Sequence, residues 1–241
     1  MGIFNILTTN PWMNITKDEN IAACDRGNFP NNKSAIEYAD EINSMDDEIG
    51  LTFSCLPDPY NGNPESKVYC LCKNPGKPDS CFNCDEAYVN ATINNLQLKS
   101  ENCFWAEDIR NKCGKQHEGV SWLYKRTKEL KMILGKHPDI FFIEYFPYHS
   151  NKGFIFPKHL PSYDFTDELI RQAMKEEKLI IIMREKKGWL DRIKDLKDYA
   201  NLYWLKSAQG GYLTPNNIVR IVKDGIEHHL SETEIIKYFK L

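Results

Sequence analysis

Two short polar corners carry the residues best suited to chemistry, and each corner follows an apolar run. The first is Lys73-Asn74-Pro75-Gly76, entered from Val-Tyr-Cys-Leu-Cys at 68–72. A buried run ended by Pro and Gly reads as a central parallel strand, and ligands collect at the carboxyl ends of such strands. An Asn amide held there by Pro-Gly is placed to orient a water or a polar ring, although the same tripeptide also suits a plain turn. The second corner closes DIFFIEYFPY at 139–148, where Glu144 stands three residues before Pro147 and Tyr148, His149 and Ser150 follow. An ionised Glu144 only accepts hydrogen bonds and so prefers a partner rich in donors; protonated, it also donates. It is also a candidate general base, or a strand-end carboxylate paired with a neighbouring Lys or Arg such as Arg184. His149 is placed to donate to an oxygen or a phosphate, or to stand as an ordinary surface histidine.

Eight cysteines add a third possibility. Cys81 and Cys84 form a C-x2-C pair, followed by Cys103, Cys113 and the nearby His117. Two such pairs would mark a zinc knuckle; only half is present, so no cofactor is expected, with zinc or an iron–sulfur cluster on these four cysteines as the alternative. Cys70 and Cys72 share one strand face and suit a core.

The elements that must position these residues alternate along the chain. Strands are expected at 68–72, 140–145, 179–183 and 202–205, the third (Leu-Ile-Ile-Ile-Met) being the most apolar. Helices are expected over 121–134, 167–177, 189–199 and 215–225, with a last short helix capped by Ser231 and Glu234. Strands alternating with helices mean βαβ units and a mainly parallel sheet. Residues 1–55 read as an N-terminal helical annex, with a Ser34/Glu37 capping box, and residues 56–241 as one α/β domain. The segment 56–64 is a Pro/Asn/Gly-rich entry loop, and the stretch from 77 to 115 a long polar loop region with short helices.

With 241 residues and 41% hydrophobic content the chain can bury a substantial core, and its net charge of −3 argues against a uniformly basic nucleic-acid coat. No apolar run reaches the roughly 20 residues that span a bilayer. The opening MGIFNILTTNPW lacks the pattern of a secretory signal, so a cytoplasmic monomer with reduced thiols is expected. The glycine-rich loops of nucleotide and dinucleotide enzymes and the G-x-S-x-G elbow of serine hydrolases are missing.

Taken together, NGNPESKVYCLCKNPG, EYFPYHS, IIIMREKKGW and LKSAQGGYLTPNN resemble, in this order, the uracil-DNA glycosylase superfamily. The resemblance covers residues 58–218. It implies a three-layer α/β/α sandwich with a four-stranded parallel sheet in the order 2-1-3-4, and DNA as partner, single- or double-stranded. In the family's mismatch-specific and single-strand-selective branches the first motif is Gly-x-Asn-Pro-Gly; here Cys72 replaces the leading Gly. Of the second motif, His-Pro-Ser or Asn-Pro-Ser, only Ser207 is kept. The implied activity is hydrolysis of the N-glycosidic bond of a flipped uracil-like or modified base, as in DNA repair by base excision. Asn74 would then orient water, and Glu144 would read the base or act as general base. Phe104, Trp105, Tyr148 and His149 would surround the base. Lys73, Lys206, Ser207, Gln209 and Gly210 would hold the DNA, the last four on a flexible loop. The altered second motif leaves a second possibility, a catalytically inactive nucleic-acid-binding or regulatory module on the same fold.

Overall fold

The computed structural model describes residues 10–78, 85–110, 114–221 and 225–239. Among these, seven strands form one mixed sheet: β1 (Tyr60–Asn61), β2 (Val68–Leu71), β3 (Phe141–Ile143), β4 (Leu179–Ile182), β5 (Leu202–Leu205), β6 (Ile218–Ile221) and β7 (Glu227–His229). Their spatial order is β1-β3-β2-β4-β5-β6-β7. The inner four, β3-β2-β4-β5, pair parallel. β1 adds antiparallel to β3, and β6 and β7 add antiparallel beyond β5. The sheet is therefore α/β in class but mixed and seven-stranded, which corrects the expectation of a four-stranded parallel sheet.

Part of that correction lies in residues 215–225, expected as a helix. Pro215-Asn216-Asn217 form a turn instead, and the β-branched Ile218 and Val219 pair with Leu205 and Trp204 across a hairpin. β-Branched side chains pack well on a pleated surface, and here that preference outweighs the helix-starting proline. The loop before it is also less free than its glycines suggest. Asn217 accepts from the Ser207 N–H at 2.7 Å and donates to the Ser207 and Tyr212 carbonyls at 3.2 and 2.7 Å.

Six α-helices lie among the described residues: α1 (Ala35–Met45), α2 (Glu86–Leu96), α3 (Glu118–Leu134), α4 (Tyr163–Lys175), α5 (Lys186–Arg192) and α6 (Glu232–Phe239). The boxes at Ser34/Glu37 and Ser231/Glu234 both form. α2 rises from the segment read as a long loop, because the Asp85 carboxylate caps the Ala87 and Tyr88 N–H groups. α3 starts at a His117 cap and stops at Gly135, whose φ of +71° few other residues adopt readily.

Alternation along the strands divides the interior in two. Tyr69, Leu71, Phe141, Ile143, Ile180 and Ile182 face a core shared with α1, α4 and α5. Val68, Cys70, Phe142, Leu179 and Ile181 face a second core with α3 and α6. Both faces of the sheet are covered, which is why β2 and β4 are apolar at every position. Each buried Leu, Ile or Val contributes roughly 1.5–3 kcal/mol of transfer free energy. The N-terminal stretch packs into the first core through Trp12, Phe29, Tyr38 and Ile42. Asp25 pins it there, accepting from the Tyr148 hydroxyl at 2.7 Å and from the Ser162 hydroxyl at 2.7 Å and N–H at 2.9 Å.

Candidate functional site

A cavity of about 470 Å³ opens at the carboxyl ends of β2, β3 and β4. Its size is that of a small-molecule site. Asn74 reaches it from the corner after β2, Glu144 from the residue after β3, and Met183 and Arg184 from the end of β4. Neighbouring parallel strands thus bring the two polar corners together.

The Asn-Pro-Gly corner is fixed along its whole length. The Trp189 indole donates to the Cys72 carbonyl at 2.8 Å. Phe146 N–H donates to the Lys73 carbonyl at 3.0 Å, and Ser150 N–H to that of Pro75 at 3.2 Å. The Asn74 amide nitrogen donates to Ser150 Oγ at 2.8 Å and to the Pro75 carbonyl at 3.0 Å. With its N–H groups so engaged, the Asn74 side chain has its carbonyl oxygen left to accept a hydrogen bond from a guest.

His149 also lines the cavity, yet its ring serves the scaffold. Nδ1 lies 2.7 Å from the Gly76 carbonyl and Nε2 2.8 Å from that of Leu56. Burial pulls its pKa below the ordinary histidine value, against the two carbonyls, which favour the charged ring. The ring sits between the entry loop and the Asn-Pro-Gly turn, donating to one carbonyl when neutral and to both when charged, and turns neither nitrogen to a ligand.

Glu144 brings a carboxyl group into the cavity. Its Oε2 is buried and, among the described residues, makes no hydrogen bond. Burial raises its pKa well above the ordinary carboxyl value; Asp58 adds to the rise and Arg184 opposes it. The shift favours the neutral acid over the carboxylate, and in that form Glu144 donates as well as accepts. The pairing with Arg184 does not form: the Arg184 Nη2 donates to the Gln209 carbonyl at 2.8 Å.

Asp58 lines the same cavity, and burial pushes its pKa up to about 7. Two carboxyl groups thus face one space, both with raised pKa values, the kind of pair from which acid and base roles are drawn. Sequence reasoning missed Asp58 because Leu-Pro-Asp-Pro-Tyr reads as an entry loop. The available signal was an Asp locked between two prolines just before a strand.

The aromatic wall differs from expectation. Tyr88 and His117 stack at 4.5 Å with an interplanar angle of 22°, and Trp122 meets Phe142 edge-on at 5.9 Å; all four line the cavity. Burial lowers the His117 pKa to about 4, so the ring is neutral. Phe104, expected there, packs in the core against Tyr124 and His137. Trp105 stands behind the wall, donating to Asn61 Oδ1 at 2.6 Å and contacting Tyr88. Tyr148 lies in the opposite core, bound to Asp25. None of these three aromatics lines the cavity.

Of the expected DNA contacts, Lys73 lines the cavity, with its ammonium 5.4 Å from the Phe156 ring centroid and 3.9 Å from Glu185. Lys206 does not; it pairs with Glu227 at 2.7 Å. Ser207 borders a separate groove, Gln209 offers its carbonyl to Arg184, and Gly210 lies against the Tyr212 ring. Cys103 is buried, while Cys81, Cys84 and Cys113 lie outside the described residues. Among the described residues no group of three or more His, Cys, Asp or Glu side chains could hold a metal ion, and no helix is long and apolar enough to cross a membrane. Comparison with known protein families, curated proteins and solved structures finds no match for this chain.

Proposed function

We propose that this chain hydrolyses the N-glycosidic bond of a uracil-like or modified base flipped out of DNA, on a uracil-DNA glycosylase-like fold. The observation that carries this proposal is the meeting, in one cavity, of an anchored Asn74 amide with a Glu144 whose buried Oε2 has no hydrogen-bond partner among the described residues. The reaction develops positive charge on the sugar and negative charge on the base, so it needs a held water, a proton acceptor and donors facing the base. Asn74 Oδ1 orients the water and the Asp58 carboxylate takes its proton. The bond from the sugar to the base breaks with its electron pair leaving on the base. The Glu144 acid proton and the Arg184 guanidinium meet that charge, supplying what the missing second-motif residue would have supplied. A carboxylic acid can close a two-bond ring with any base edge that carries an adjacent donor and acceptor. Tyr88, His117 and Trp122 form the stacking wall.

One observation favours the alternative of an inactive binding module: Ser207, the surviving second-motif residue, borders a different groove. The two separate in one experiment. Purified protein is incubated with DNA carrying uracil, hypoxanthine or alkylated bases and then heated in alkali, which cuts the strand at abasic sites. Cleavage that disappears in Asn74→Ala supports hydrolysis; binding without cleavage on any substrate supports the module.

A further inference from the structure

A second concavity, of about 630 Å³, lies between the outer face of α3 and the loop from β5 to β6. Lys125, Lys128, Glu129 and Met132 border it from the helix, at the i, i+3, i+4, i+7 spacing of a single face. Three cations, counting Arg126, stand against one carboxylate. Arg126 is caged by two rings, its guanidinium carbon 5.5 Å from the Trp122 centroid and 4.8 Å from that of Tyr212. Its Nε is buried without a hydrogen-bond partner. Among the described residues Lys125, Arg126 and Lys128 make no ion pair, whereas the lysine expected to hold DNA, Lys206, is already neutralised by Glu227.

The aromatic surfaces here are open. Trp122 is 36% exposed and Tyr212 49%. The groove also runs on to the candidate active site: Trp122 and Gly211 line the first cavity, and their neighbours Arg126 and Tyr212 line the second. Gly211 permits the junction. Its φ is +64°, and a Cβ there would sit 3.3 Å from Arg126 Nε. The Asn217 side chain holds the loop side of the groove in shape.

We propose that this groove binds single-stranded nucleic acid, with phosphates on Lys125, Arg126 and Lys128 and bases stacked on Tyr212 and Trp122, and leads one nucleotide into the first cavity. Cations interleaved with exposed rings suit an unpaired strand, because stacking needs base faces that a duplex keeps covered. The proposal deepens the function given above by naming the strand state of the substrate, and it is tested without any chemistry.

Fluorescence anisotropy of a labelled oligothymidine, and of a hairpin duplex of equal charge, reads it directly. Wild type binds the single strand more tightly than the hairpin. With three phosphates neutralised, the logarithm of affinity falls against that of salt with a slope of about −2. Tyr212→Ala weakens the single strand roughly five- to hundredfold, the range for one lost base stack. Lys125→Ala with Lys128→Ala flattens the salt slope by about 1.4. These side chains are at the surface, and unchanged circular dichroism verifies the fold. Equal affinity for the hairpin, or single-strand affinity unmoved by Tyr212→Ala and the double lysine variant, overturns the proposal. Protein that binds through the groove yet never releases a base keeps the groove and refutes the hydrolysis. Base release that ignores the groove variants does the reverse.

Discussion

Replacing Asp58 with Asn tests the division of labour between the two carboxyl groups. An aspartate at its ordinary pKa of 3.8 would be ionised across the neutral range, but burial brings Asp58 to about 7. If its carboxylate takes the proton from water, the rate in wild type must approach a ~tenfold fall per pH unit below neutrality, hence roughly fiftyfold between pH 7, where half of it is ionised, and pH 5. A second limb appears at higher pH, where Glu144 loses its proton and with it the ability to donate. Because Asp58 helps to raise the Glu144 pKa, the Asn variant should move that alkaline limb to lower pH as well as slow the plateau by ~10²–10⁴-fold. Both limbs belong to the pair as apparent values. Single-turnover release of base, measured from pH 5 to pH 9, gives the profile. A flat rate from pH 5 to pH 8 in active wild-type protein, or an unshifted alkaline limb in Asp58→Asn, would refute the reasoning.

Other expectations follow from the same contacts. Glu144→Gln retains a donor and an acceptor, so turnover at neutral pH should persist within ~tenfold while the alkaline limb vanishes; loss of activity at every pH would mean that the carboxylate itself is needed. Trp189→Phe deletes the indole bond to the Cys72 carbonyl and should cost about 1–3 kcal/mol in urea unfolding, while an unchanged midpoint would show that the bond does not hold the corner. Asp25→Ala removes the acceptor shared by Tyr148 and Ser162 and should cost at least ~2 kcal/mol, with protease cleavage appearing first in the N-terminal stretch; resistance equal to wild type would contradict the pinning.

What was legible in the sequence is what local pattern controls. The inner strands are apolar at every position because both faces are covered, and that pattern survives without any knowledge of partners. The capping boxes at Ser34 and Ser231 are equally local. Asn74 and Glu144 could be placed on one edge because both end apolar runs that pair in parallel. The rest depends on long-range packing. Phe104 and Trp105 lie off the cavity wall, because Phe104 fills the space over His137 and the Trp105 indole finds Asn61. His149 looked like a ligand-facing donor until two carbonyls, from Leu56 and Gly76, were found to occupy both nitrogens. Asp58 looked like loop composition, and only the folded cavity gives it a raised pKa. The 215–225 stretch carries a helix-starting proline, yet an open edge on β5 recruits it as a strand.

Release of a free base by wild type and by Asn74→Ala is the most direct test of the central claim. The backbone of the corner keeps its bonds from Trp189, Phe146 and Ser150, so removing the amide leaves the strand and the cavity in place while the attacking water loses its guide. Chromatography of the reaction on base-modified DNA should show free base from wild type, a rate lower by ~10²–10⁴-fold in the variant, and DNA affinity within ~threefold of wild type. Equal rates in the two proteins, or a fall in rate matched by an equal fall in binding, would contradict the claim.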